Sequence, residues 1–150
     1  MIEIRPALPD DLDWLCKLEE ESFSLPWTRE QLEGQMSGEN KLLLVAQLDG
    51  RPAGYMGLYW VLDEGYVTNV CTSAEYRRRG VASALINSVT ERARELDLSF
   101  ITLEVRASNA AAHSVYAKMG FNDVGVRPGY YEKPAEDAVI MTLYLKEVER

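Results

Sequence analysis

Arg77-Arg78-Arg79-Gly80 stands between an apolar, strand-like run ending at Thr72 and a helical stripe that starts at Val81. Free N–H groups at a helix start carry roughly half a unit of positive charge, which makes such a junction a ready anion site. Gly80 and the small Ala82 let an anion approach the backbone, and the arginines add donors suited to phosphate oxygens. A solvated basic turn would have the same composition, so the chemistry indicated is conditional: a phosphorylated ligand held at Arg77, Arg78, Arg79, Gly80, Val81, Ala82 and Ser83. Neither the G-x-x-x-x-G-K-S/T phosphate loop nor the G-x-G-x-x-G dinucleotide fingerprint is present.

Periodicity supplies the elements around this junction. Ile2 and Ile4 alternate as a short strand would, and Leu12, Leu15 and Leu18 begin a helix after Pro9-Asp10-Asp11 that fades at Ser22. An irregular segment with Phe23 and Trp27 follows. Thr28 and Gln31 then form a capping-box signal for a short helix ending before Gly38. Leu42 to Leu48 and Ala53 to Leu62 read as a hairpin about Asp49-Gly50, and Glu64 to Thr72 as the next strand. The longest helix carries Val81, Leu85, Val89, Ala93 and Leu96. In the strand from Phe100 to Val105, Ile101, Leu103 and Val105 share one face, with Thr102, Glu104 and Arg106 on the other. Asn109 is placed to cap a helix through Met119, with Gly120 as its left-handed terminator. Strands near Asn122 to Arg127 and Ala138 to Leu145, joined by a loop holding Tyr130 and Tyr131, complete a mixed α/β chain read as one domain over 1–150.

Composition narrows the classes. The 150 residues are 47% hydrophobic and 27% charged, with 16 Lys and Arg against 24 Asp and Glu and a net charge of −8. A broad grip on nucleic acid is excluded, because no extended positive field exists. An acidic chain suits a basic polypeptide partner, and it equally serves solubility. Cys16 and Cys71 are too few to staple a domain and read as free thiols in a reducing compartment. No secretory signal or membrane-length apolar run is seen, so a soluble, cytoplasmic location is expected, with a monomer favoured and no membrane partner.

Arg77 to Ala82 matches the R/Q-x-x-G-x-G/A motif, and the chain resembles the GCN5-related N-acetyltransferases, whose matching loop binds the pyrophosphate of acetyl-coenzyme A. Ala82 stands where many members have glycine, which the pattern allows. Leu103-Glu104-Val105-Arg106-Ala107-Ser108-Asn109 with Ala110 to Ala112, Val115-Tyr116 and Gly120-Phe121 narrow the likeness to the bacterial RimI type. Those enzymes acetylate the N-terminal alanine of a small-subunit ribosomal protein. Pro26-Trp27, Tyr130-Tyr131 and Glu136-Asp137-Ala138 extend the resemblance along nearly the whole chain, although Gly129 stands where some relatives have a polar residue.

The resemblance implies a mixed, mostly antiparallel sheet of about six to seven strands flanked by about four helices. It also implies acetyl-CoA as co-substrate, with direct transfer in a ternary complex. Glu104 is then the candidate base and Tyr116 the candidate acid; spacing alone would read them as a solvent-facing charge and a core tyrosine. Asn109 is a candidate coenzyme A contact as well as a cap. The oxyanion donors would come from the backbone of Val70, Cys71 and Thr72. Trp27, Tyr130 and Tyr131 are candidate acceptor contacts, and Glu132, Glu136 and Asp137 are acids that a basic acceptor would meet. An acetyl-cysteine on Cys71 is disfavoured because the family transfers directly and no histidine lies near it in sequence. His113 reads as a surface or packing residue, and no metal-ligand spacing occurs. Two other readings fit the same scaffold: an acetyltransferase of small-molecule amines and a non-catalytic acyl-CoA-binding regulator.

Overall fold

Asp49 and Gly50 both adopt positive φ, 51° and 80°, which is the pattern a two-residue hairpin needs to match strand twist. They join β2 (Lys41–Leu48) to β3 (Arg51–Val61), in a computed structural model that describes residues 1–146. The remaining strands are β1 (Ile2–Pro6), β4 (Glu64–Thr72), β5 (Phe100–Arg106), β6 (Asn122–Tyr131) and β7 (Glu136–Tyr144). The α-helices are α1 (Leu12–Ser22), α2 (Arg29–Ser37), α3 (Val81–Glu95) and α4 (Ala110–Lys118). The sheet order is β1-β2-β3-β4-β5-β7-β6, antiparallel throughout except between β4 and β5. Among the described residues, no helix is long and apolar enough to cross a membrane.

Two apolar clusters show how the layers lie. Leu12, Leu15 and Leu18 of α1 and Leu32 of α2 pack on Leu43, Val45, Tyr55 and Cys71, covering one face of the first strands. On the other face, Val81, Leu85, Ile86, Val89 and Ala93 of α3 meet Leu44, Met56, Leu58, Val67, Leu103, Val105 and Met141. Each large apolar side chain of this kind contributes roughly 1.5–3 kcal/mol when buried, so the α3 stripe is firmly held against the sheet. The start of α3, where the arginine loop ends, is thereby fixed relative to β4.

The parallel pair is short. β4 and β5 are in register only at Glu64↔Phe100, Gly65↔Ile101 and Tyr66↔Thr102, and beyond these pairs the two strands part. A bulge bends β4 at this point: Gly57 of β3 alone faces both Thr68 and Asn69, between the pairs Leu58↔Val67 and Met56↔Val70. Glycine is needed there, because a Cβ would lie 2.2 Å from Thr68 Oγ1 and 2.8 Å from Asn69 Oδ1. Below the parting, Tyr59, Tyr66, Phe100 and Tyr144 form a row across four strands, with successive ring centroids 5.1, 6.2 and 6.5 Å apart. These contacts close one end of the slot while the other end stays open.

Most expected boundaries hold within a few residues. Thr28 and Gln31 form the reciprocal cap of α2, and Gly120 is left-handed at φ 100°. The tyrosine pair differs: β6 runs on through Tyr131, so Tyr130 and Tyr131 end a strand and do not lie in a loop. Pairing of Tyr131 with Glu136 of β7 after a register shift explains the extension. At the N-terminal edge, Arg5 donates to both oxygens of Asp11 at 2.7 and 2.8 Å, and Asp11 also accepts the Leu8 N–H at 2.7 Å. The guanidinium holds the Asp11 carboxyl below its ordinary range.

Candidate active site

The open end of the slot between β4 and β5 is bordered by several of the predicted residues. Ser73 N–H donates to Ala53 O at 2.8 Å, and antiparallel alternation then turns the Cys71 backbone toward Tyr55. The backbone groups of Val70 and Thr72 point the opposite way, into the slot that β5 has left. Val70 and Thr72 are therefore the two predicted oxyanion donors whose amides are available. Cys71 itself is buried in the α1 layer, and burial pushes its thiol pKa up. That environment disfavours the thiolate an acetyl-cysteine would require.

The arginine loop lies at the mouth of the same slot. Arg77, Arg78 and Arg79 are all exposed, Arg78 has φ 65° and Gly80 has φ 81° as the N-cap of α3. The first helical bond of α3 is from Ala84 N–H to Gly80 O, and Gly80 supplies no side-chain cap. The amides of Val81, Ala82 and Ser83 are consequently left for a ligand. Asn109 caps α4 as expected, with Oδ1 accepting from Ala112 N–H at 3.1 Å; among the described residues its Nδ2 has no protein partner.

Glu104 and Tyr116 lie on opposite faces of the sheet. Ile101, Leu103 and Val105 belong to the α3-side cluster, so alternation along β5 turns Glu104 to the other face. Its side chain is 20% exposed and paired with Arg127, with Nε 3.4 Å from Oε1. Tyr116 lies in the α3-side cluster against Phe121, with ring centroids 5.8 Å apart. Burial raises its hydroxyl pKa well above the ordinary tyrosine value, and Tyr131 adds to the rise. The hydroxyl makes no hydrogen bond among the described residues. Since no fully buried side-chain oxygen there lacks a partner, this hydroxyl reaches solvent.

Tyr130 and Tyr131 border the Glu104 side, their rings edge-on at 5.0 Å. Burial and the neighbouring Tyr130 and Glu104 push the Tyr131 pKa up to about 12. Arg106 organises this border: its guanidinium lies 4.3 Å from the Tyr131 centroid and donates to Pro134 O, Glu132 O and Glu136 Oε1. Two of the acids expected to meet a basic acceptor are already engaged. Glu136 accepts Ser108 N–H at 2.7 Å, and Asp137 accepts Gly129 N–H at 2.8 Å. Trp27 is half-buried on the α1 layer. His113 pairs with Asp123 at 2.7 Å on the outer surface.

A buried polar network centred on Glu19 links these parts. Glu19, only 1% exposed, accepts from Tyr55 Oη at 2.6 Å, Asn69 Nδ2 at 2.9 Å and Trp27 N–H at 3.3 Å. It ties the segment after α1 to the β4 bulge. Leu12, Leu15 and Glu19 follow helical spacing on one face, so a carboxylate in an apolar stripe was the available signal. Arg127 had no comparable local signal, because its approach to Glu104 depends on strand pairing.

This arrangement, a helix start with unbonded amides beside a slot flanked by a carboxylate and a tyrosine, is one that acyl transfer can use. The acetyltransferase (GNAT) family model matches residues 10–121, and the chain belongs to that family. A Bacillus subtilis relative is 36% identical over 146 residues, covering 96% of each chain. The ribosomal protein bS18-alanine N-acetyltransferase of Salmonella typhimurium is 33% identical over 135 residues, covering 89% of this chain and 90% of the relative. The crystal structure of the ribosomal-protein-S18-alanine N-acetyltransferase from Escherichia coli superposes with a TM-score of 0.89 at 30% identity, covering 100% of this chain and 97% of that one.

Proposed function

We propose that this enzyme transfers acetyl from acetyl-CoA to the N-terminal α-amino group, preferentially of alanine, of a small-subunit ribosomal protein. The observation that carries the reading is the placement of Glu104 and Tyr116 on opposite sides of the parted strands. The 33% identity to the bS18-alanine N-acetyltransferases of Salmonella typhimurium and Escherichia coli supports the choice of acceptor. Arg77 to Ser83 hold the pyrophosphate, and Asn109 contributes to the coenzyme A contact. The parted strands receive the pantetheine, leaving the thioester between the two faces.

In the ternary complex the acceptor nitrogen approaches from the Glu104 side. Glu104 takes its proton, directly or through one water, and nitrogen attacks the acetyl carbon. Val70 and Thr72 N–H groups meet the oxyanion. The C–S bond then breaks toward the opposite face, where the Tyr116 hydroxyl gives its proton to sulfur. Tyr116 can serve because a tyrosine hydroxyl is protonated at neutral pH, and burial raises its pKa further.

An α-amino group, with a pKa near roughly 7.7–8.0, loses its proton at pH 7 for about 1 kcal/mol, whereas lysine near roughly 10.4 needs about 4–5 kcal/mol. A partly solvated carboxylate fits the first task better. Acetylation of a free-N-terminus peptide beginning with alanine, measured against its N-blocked, lysine-containing counterpart, tests the reading. The free peptide is expected to react and the blocked one to be spared. Reaction of only the blocked peptide or of small amines overturns the N-terminal assignment.

A further inference from the structure

Arg127 reaches Glu104 from two strands away. On β7, Ala138 is the register partner of both Arg127 of β6 and Arg106 of β5. Ala138 is fully buried and small, so the long Arg127 side chain can cross β7 above it. The resulting pair is lopsided: the Glu104 side chain is 20% exposed and that of Arg127 is 56% exposed. The guanidinium also lies 5.8 Å from the Tyr130 ring centroid. It thus covers the carboxylate from the solvent side and is itself free to swing outward.

We propose that Arg127 guards the base, occupying Glu104 until the cationic amino group of an acceptor displaces it, and thereby suppresses hydrolysis of acetyl-CoA. The proposal rests on Glu104 being the base. An arriving ammonium replaces one cation by another, so the carboxylate never stands without a counter-ion. Water brings no charge and leaves the ion pair closed. Without the guard, water attacks the acetyl carbon while Glu104 takes its proton, and the C–S bond breaks as sulfur receives the Tyr116 proton. Acetic acid and free coenzyme A leave, and solvent returns the proton from Glu104 to Tyr116. Arg127 is a positioning residue in this scheme, since it touches neither reacting carbon nor sulfur.

The test follows free-thiol release from acetyl-CoA without peptide, using the full chain and its Arg127→Met and Arg127→Lys variants. Arg127→Met should raise peptide-independent release by up to about fivefold, the factor that a solvent-exposed ion pair can supply. It should lower the peptide KM by a similar factor, while Arg127→Lys keeps release slow. Adding Glu104→Gln to Arg127→Met should remove the extra hydrolysis. Should Arg127→Met not fold, Arg127→Gln makes the same comparison. A general loss of structure would reduce release, so a rise is specific to the guard. Unchanged or reduced release in a folded variant overturns the proposal, even where Glu104→Gln abolishes peptide acetylation. Peptide acetylation that survives Glu104→Gln overturns the base assignment itself.

Discussion

At the proposed donor end of the slot, Arg77 to Ser83 are consecutive residues whose shape is set by two positive-φ positions and a helix start. At the proposed acceptor end, Glu104 comes from β5 while Arg127, Tyr130 and Tyr131 come from β6, and they meet only across β7. The donor end is a local structure attached to a rigid helix. The acceptor end depends on the register of three strands and on Arg106, which ties β5 to the β6–β7 turn. Substitutions at the two ends should accordingly affect different constants.

The largest effect is expected from Glu104→Gln, which should lower kcat by roughly 10²–10⁴, the range for a lost general base. Its acetyl-CoA affinity, measured by calorimetry, should stay unchanged; equal loss of turnover and donor binding would instead favour a non-catalytic acyl-CoA-binding protein. Tyr116→Phe should lower kcat on the order of 10²-fold, read in single-turnover transfer. The raised Tyr116 pKa also fixes a sign: the acid form persists above the usual value of roughly 10, so the pH–rate profile should show no alkaline loss from this group below it.

Donor-end changes should behave in the opposite way. Arg77→Ala, Arg78→Ala or Arg79→Ala should each raise the acetyl-CoA Kd by about tenfold or more, the weight of one charged hydrogen bond, while kcat at saturation is retained. A fall in saturated kcat with unchanged Kd would remove the distinction between the two ends.

Asp11→Asn serves as a control remote from both ends and should move neither constant. It should lower neutral-pH stability by about 1–3 kcal/mol, read from thermal melts. The Asp11 pKa is depressed in the fold, so its stabilisation is present above roughly 3.9 and disappears as pH falls through the lower folded value. The difference between wild type and variant should therefore vanish in strong acid.

The same contrast explains what the sequence could reveal. The cap at Thr28, the turn at Asp49-Gly50, the alternation through Glu104 and the arginine loop are all encoded within a few residues. The Arg127–Glu104 pair arises from contacts 23 positions apart and becomes visible only once β6, β7 and β5 are in register. Tyr130 and Tyr131 read as loop in the sequence because their strand continues past a register shift that no periodic pattern marks. Glu19 falls between these cases: its place on an apolar helix face was readable, but its partners on β3 and β4 were not.

In the proposed mechanism the amine enters the parted strands from the Glu104 face and sulfur departs toward the Tyr116 face. If transfer runs that way, acetylated polypeptide and spent coenzyme leave by separate exits, and neither must wait for the other to clear the way. Product-inhibition kinetics should show dissociation in either sequence.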